Sequence, residues 1–143
     1  MFRITPYESA GPIRLGASEA ALTEIFGQPD CIYKNILGEG DYQYPTFSVR
    51  LSAKERTVVE VGFAPPTQVL LGAVDIFNSP TAFEELTRAD GHPLESDGFI
   101  VLLGLGITMT GFHDNDPSDR AVTVFARGRW DDLRPQLKEY VRG

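Results

Sequence analysis

Short runs of alternating apolar and polar residues, interrupted twice by the same kind of helix-start signal, leave this chain few ways to fold. Phe47, Val49 and Leu51 alternate with Ser48, Arg50 and Ser52, and Val59, Val61 and Phe63 alternate with Val58, Glu60 and Gly62. That period of two sets one face of a strand against a core and the other toward water. Before these runs, Ser18 can cap a helix whose Leu22, Ile25 and Phe26 share a face. Gly27 and Pro29 end it, which predicts a helix over residues 18–26. The strand-like stretch 74–77 later runs into Ser79 and Pro80, a cap followed by a proline whose missing amide is not needed at the first helical position. Phe83 and Leu86 then face inward, Glu84 and Glu85 suit the early turns through the helix dipole, and Gly91 can close the helix.

The other strand-like runs are residues 2–5, cut short by Pro6, then 12–15, 31–33, 41–44, 46–52, 57–64, 68–71, 73–77, 98–103, 106–110 and 121–127. Residues 37–41, 53–56 and 113–119 read as turns. A helix followed by strands recurs at nearly constant spacing, 61 residues from Ser18 to Ser79 and 62 from Phe63 to Phe125, which predicts an internal duplication. Leu133, Leu137, Tyr140 and Val141 stand at helical spacing, and Pro135 confines the start of that helix to Leu133 or Arg134. The expected class is α+β, with residues 1–143 as a single sheet-based domain. Two pseudo-repeated helix-plus-antiparallel-meander units, residues 13–66 and 67–130, would precede a C-terminal helix over 131–143.

A chain of 143 residues buries enough surface to need neither metal nor disulfide for stability. Cys31 has no partner for an intrachain disulfide and reads as a small buried apolar residue. Against 20 Asp and Glu stand 13 Lys and Arg, a formal charge of −7 that opposes binding to nucleic acid or anionic lipid. The same charge suits a basic protein partner, or simply solubility. The longest apolar stretch, residues 99–107, is strand-sized, and the first residues do not form a secretory leader, so the expected location is cytoplasmic and no membrane partner is expected.

The motifs of common chemistries are incomplete. Gly104-Leu105-Gly106 lacks the third glycine of a dinucleotide loop, position 109 being Met, and reads as a bend between strands. Asp114, Asp116 and Asp119 resemble the start of a calcium loop, but Asp119 stands where glycine is required and Phe125 where glutamate is, so a hairpin turn accounts for them. His92 and His113 have no ligand-spaced partner for zinc, no serine lies in a nucleophile elbow, and the adjacent pairs Glu84-Glu85 and Asp131-Asp132 diverge on a helix. No catalytic, cofactor or metal residue is expected. Trp130, between Arg129 and two aspartates, is either an interface anchor or the residue that packs the last helix on the sheet. Tyr42 and Tyr44, beside Tyr33 and a glycine-rich turn, share one face of a strand.

The segment Ile13-Arg14-Leu15-Gly16-Ala17-Ser18, followed by Leu22, Ile25-Phe26-Gly27 and Pro29, resembles the entry segment of small bacterial helix-plus-meander domains. It is similar to repeats of the β-lactamase inhibitor protein type, to small outer-membrane assembly lipoproteins, and to bacterial proteins of the toxin-immunity kind. The resemblance implies a non-catalytic binder of other proteins. One cysteine cannot supply the disulfides of the inhibitor repeats, and no functional residue carries over.

Two functions follow as expectations. The first is a non-catalytic cytoplasmic protein-binding module, immunity-like, whose partner-binding candidates are Tyr42, Tyr44, His113, Asp114, Asp116, Asp119 and Trp130. The second is a small-molecule binder or small enzyme with a pocket where the halves meet, lined by groups such as Arg50, Tyr44 or His113. A homodimer through an exposed strand is a further possibility.

Overall fold

A computed structural model describes residues 1–141 and gathers the alternating runs into two sheets. The smaller sheet contains β1 (Phe2–Thr5), β2 (Ser9–Ala10), β3 (Ile13–Arg14), β8 (Val69–Leu71) and β9 (Val74–Asp75), ordered β3-β2-β1-β8-β9. β1 and β8 run parallel, with Phe2 opposite Val69, and the other pairs are antiparallel. The larger sheet contains β4 (Cys31–Lys34), β5 (Gly40–Gln43), β6 (Ser48–Leu51), β7 (Val58–Phe63), β10 (Leu94–Ser96), β11 (Phe99–Leu102), β12 (Ile107–Thr110), β13 (Ala121–Phe125) and β14 (Lys138–Glu139). Its order is β14-β10-β11-β12-β13-β7-β6-β5-β4, antiparallel throughout. The protein is thus mixed α+β, mostly sheet with few helices. β7 and β13, each the last strand of an antiparallel meander, pair at the centre, with Val61 facing Val124.

The helices α1 (Glu19–Phe26) and α2 (Ala82–Asp90) pack with the small sheet on one face of the large one. Leu22 of α1, Leu86 of α2 and Ile4, Ile13 and Val69 of the small sheet share one core with Tyr42, Val49, Val61, Ile100, Met109 and Val124. At about 25 cal/mol per Å² of apolar surface, this continuous layer supplies most of the driving force for folding. Ser18 caps α1 as expected, its hydroxyl accepting from Ala21 N at 3.2 Å. Gly27 ends the helix with φ 76°, a conformation that favours glycine.

Several expectations need correction. α2 begins two residues later than the Ser79-Pro80 signal implies, with Thr81 as its cap residue and no side-chain cap bond. Ser79 Oγ instead accepts weakly from Thr81 N at 3.4 Å and donates to Glu85. The C-terminal helix is not formed: residues Asp131–Gln136 make 3-10 turns and Lys138–Glu139 add β14 to the sheet edge. Pro135 supplies no amide to an α-helical ladder, and Glu139 pairs with Leu94. The last two residues of the expected helix, 142 and 143, lie outside the described residues. Cys31 is exposed rather than buried, because it lies on edge strand β4, whose four residues are all exposed.

Candidate functional site

The large sheet has one face under the helices and one open face, and the open face carries the charged constellation of the molecule. The register sets Asp41 of β5 opposite Arg50 of β6, Arg50 opposite Glu60 of β7, and Glu60 opposite Phe125 of β13. Because side chains alternate between faces of a strand, these four project in one row across the centre. Arg50 Nη2 donates to Asp41 Oδ2 at 3.3 Å, and its Nη1 lies 3.6 Å from Glu60 Oε1. Arg129, after β13, closes over the row: its Nε donates to Glu60 Oε2 at 2.6 Å, and its Nη1 and Nη2 grip Glu39 at 2.5 and 2.9 Å. Asn35 Nδ2 also donates to Glu39 at 2.9 Å, and Asn35 Oδ1 accepts from the amides of Leu37 and Glu39.

Glu39 is 6% exposed, and the Arg129 hydrogen bonds hold its carboxyl down at about 2 against the opposing effect of burial. The same contacts push the Arg129 guanidinium above its ordinary value. One donor in the network is unused: Arg50 Nε is buried and has no hydrogen-bond partner. A buried, unpaired donor of a charged group is unusual in a folded protein and marks where an acceptor is wanted.

Beside Arg50 the open face sinks into a groove of about 300 Å³ between Glu60, Phe99, Thr108, Thr123, Phe125 and Trp130. A smaller hollow of about 80 Å³ continues it past Arg50 toward Asp41, Ser48 and Gly62. Gly62 leaves this hollow open, since a Cβ there would stand 2.8 Å from Ser48 Oγ and turn that hydroxyl aside. One wall is therefore aromatic, the floor carries the Thr108 and Thr123 hydroxyls, and the far wall is the Arg-carboxylate row. The groove crosses the β7–β13 seam.

Of the partner-binding candidates named from the sequence, Trp130 alone lines this groove, with its ring 6.3 Å from that of Phe125. Tyr42 and Tyr44 share a strand face, but it is the covered one: they are 1% and 7% exposed, which corrects their place among the partner-binding candidates. Tyr42 donates to Glu19, and Tyr44 donates to Gly27 O at 3.0 Å, burial raising its pKa. His113 sits against Phe83 and Tyr140, its Nδ1 buried without a partner. Asp116 Oδ1 caps the 3-10 turn Pro117–Asp119 by accepting from Ser118, and Asp114 and Asp119 are exposed. Among the described residues no group of three or more His, Cys, Asp or Glu is placed to hold a metal ion. Of the seam-pocket residues named beforehand, Arg50 is in the groove while Tyr44 and His113 are not. Glu39, Asp41, Glu60, Phe99 and Arg129 were missed. Period-two alternation does place Arg50 and Glu60 on a solvent face, but their convergence with Arg129 depends on a strand pairing that no local pattern encodes.

No protein-family model matches the chain, and no curated protein sequence matches it. Among solved structures, the fold is similar to that of an extracellular protein containing an SCP domain from Bacillus anthracis strain Ames, with a TM-score of 0.57 and 16% identity over 89% of this chain. The chain spans about half, 49%, of that protein. The likeness is one of sheet-rich fold. It also overturns the cytoplasmic location expected from the sequence, since the protein sharing the fold is extracellular. Among the described residues, no helix is long and apolar enough to cross a membrane.

Proposed function

We propose that this protein is a non-catalytic binding module that takes an extended segment of a basic partner protein along the groove at the β7–β13 seam. The observation that carries the reading is Arg50 Nε, a buried and unpartnered donor at the boundary between an aromatic wall and a carboxylate row. The Arg50 side chain, 32% exposed as a whole, would turn its Nε toward a partner's backbone carbonyl, an apolar side chain would lie between Phe99 and Trp130, and a Lys or Arg would meet Glu60 or Asp41. Trp, Arg and aromatic pockets are the groups that dominate protein interfaces. The local charge supports a basic rather than acidic segment, because Glu39, Asp41 and Glu60 outnumber Arg50 and Arg129, and the chain as a whole carries −7.

In this reading the molecule is a duplicated helix-plus-meander unit, supported by the near-equal sequence offsets and by the way each helix precedes a meander. A place outside the cytoplasm is supported by the extracellular protein of similar fold. The immunity-like version of the reading is narrower, and a toxin gene beside this one is what would support it. The experiment is affinity capture from secreted and envelope fractions of the native host with wild-type protein and with Arg50→Met. A partner retained by wild type and lost by the variant supports the proposal. Equal retention by both sinks it.

The groove volume of about 300 Å³ also favours a second reading, a small ligand at the lower end of ordinary pocket sizes. Thermal-shift screening of amines and zwitterions, which complement the carboxylate row, separates the two.

A further inference from the structure

The large sheet ends in β4, and β4 is bare. Ile32 is 50% exposed, Tyr33 60%, and the turn beyond it holds Ile36 at 101% and Leu37 at 70%. An edge strand of this kind is a template for pairing unless charge or proline blunts it, and within β4 Lys34 is the one charged side chain.

The backbone decides which partner register is open. Tyr44 N donates to Phe47 O, so Tyr42 and Gly40, two and four residues back on β5, are the ones that bond to β6. The intervening residues of β5 therefore bond to β4, and Asn35 N donating to Glu39 O continues that series. Cys31 and Tyr33 are thus turned inward, and the amides and carbonyls of Ile32 and Lys34 point out of the sheet. Asp30 N is already used, donating to Gln43 O.

We propose that β4 pairs antiparallel with β4 of a second copy of this chain across a two-fold axis at Tyr33, with Ile32 opposite Lys34 of the other copy. In this register every outward amide and carbonyl of Ile32 and Lys34 is bonded reciprocally, as an isologous interface requires. The two Tyr33 rings face each other at the close, non-hydrogen-bonded position, a favourable cross-strand aromatic pair. Each Lys34 lays its methylene stem over an Ile32 and keeps its ammonium in water. The alternative centred on Ile32 would call on Asp30 N, which is not free. The axis stands perpendicular to the sheet, so the two charged rows come to lie on the same face of one continuous sheet.

The test reads mass and register together. Sedimentation of the full chain should show a concentration-dependent species of twice 15.8 kDa. Ile32→Lys sets lysine opposite Lys34 and should weaken dimerisation at least tenfold. Ile32→Glu sets glutamate opposite Lys34 and should leave it within about threefold of wild type, since opposite charges directly across a strand pair attract. In a Cys31→Ser background, Tyr33→Cys should form an intermolecular disulfide on mild oxidation, because facing non-hydrogen-bonded positions stand about 4.5 Å apart at Cα. Lys34→Cys in that background should not. A monomer at all concentrations overturns the proposal, as do equal effects of the lysine and glutamate variants, or crosslinking through position 34.

Discussion

Both meanders are antiparallel, yet they carry opposite surface chemistry on the open face. In the first, β5, β6 and β7 present Asp41, Arg50 and Glu60 in one row. In the second, β11, β12 and β13 present Phe99, Thr108, Thr123 and Phe125 to the same groove. Backbone pairing is indifferent to which of these it carries, since either set alternates with the apolar residues that build the core. The difference teaches that the groove belongs to neither meander. A charged wall from one and an aromatic wall from the other meet only because β7 pairs with β13.

That contrast can be broken at Arg129, which belongs to the second half and clamps two carboxylates of the first. Arg129→Met leaves Glu39 buried with Asn35 as its remaining side-chain donor, and denaturant unfolding should show a loss of about 3 kcal/mol, the low end of what is expected when one member of a buried pair is removed. Acid tests the same clamp from the other side. Glu39 titrates near 4.5 when unfolded and near 2 when folded, so its contribution is complete above pH 4.5 and disappears as pH falls through 2. On the order of 2 kcal/mol should be lost across that window, less than the full shift implies because solvent screens the pair, and Glu39→Gln should flatten the slope there. A slope unchanged in the variant would show that other carboxylates govern acid unfolding.

On the aromatic wall the effects are smaller. Trp130→Ala removes a half-buried ring from Phe125 and should cost about 1.5 kcal/mol, read as a lowered midpoint in the same titration. It should also abolish any partner capture that Arg50→Met abolishes. Thr108→Val replaces the hydroxyl of a residue that is 5% exposed at the groove floor with a methyl group, and should move stability by about 1 kcal/mol or less. If Thr108→Val proved as damaging as Arg129→Met, the charged half would not be the dominant lock.

Alternation along residues 46–64 placed Val49, Val61 and Phe63 in the core and Arg50 and Glu60 on a solvent face, but it turned Val59 inward, whereas the irregularity between Arg50 and Leu51 buries Val58 instead. Ser18, Gly27 and Pro29 likewise marked the first helix, because caps are local chemistry. Failures came where distant backbone overrode a local signal. Leu133, Leu137 and Tyr140 have helical spacing, yet β10 offers an unpaired edge that takes Lys138 and Glu139 as a strand. Tyr42 and Tyr44 looked like an exposed patch beside a glycine-rich turn, but α1 lies over that strand face and Glu19 accepts from Tyr42. The groove itself was out of reach, since Glu39 and Arg129 stand 90 positions apart.

Pairing β7 with β13 has a consequence for the way the chain is made. A polypeptide leaving the ribosome exposes the β7 edge long before Ala121–Phe125 has been synthesised, and Val61 must wait for Val124. Closure by so non-local a contact makes for slow folding, as high contact order does generally. During that interval the β13 of a neighbouring nascent chain competes for the same edge, so exchange of second halves between chains is the characteristic misassembly this topology invites.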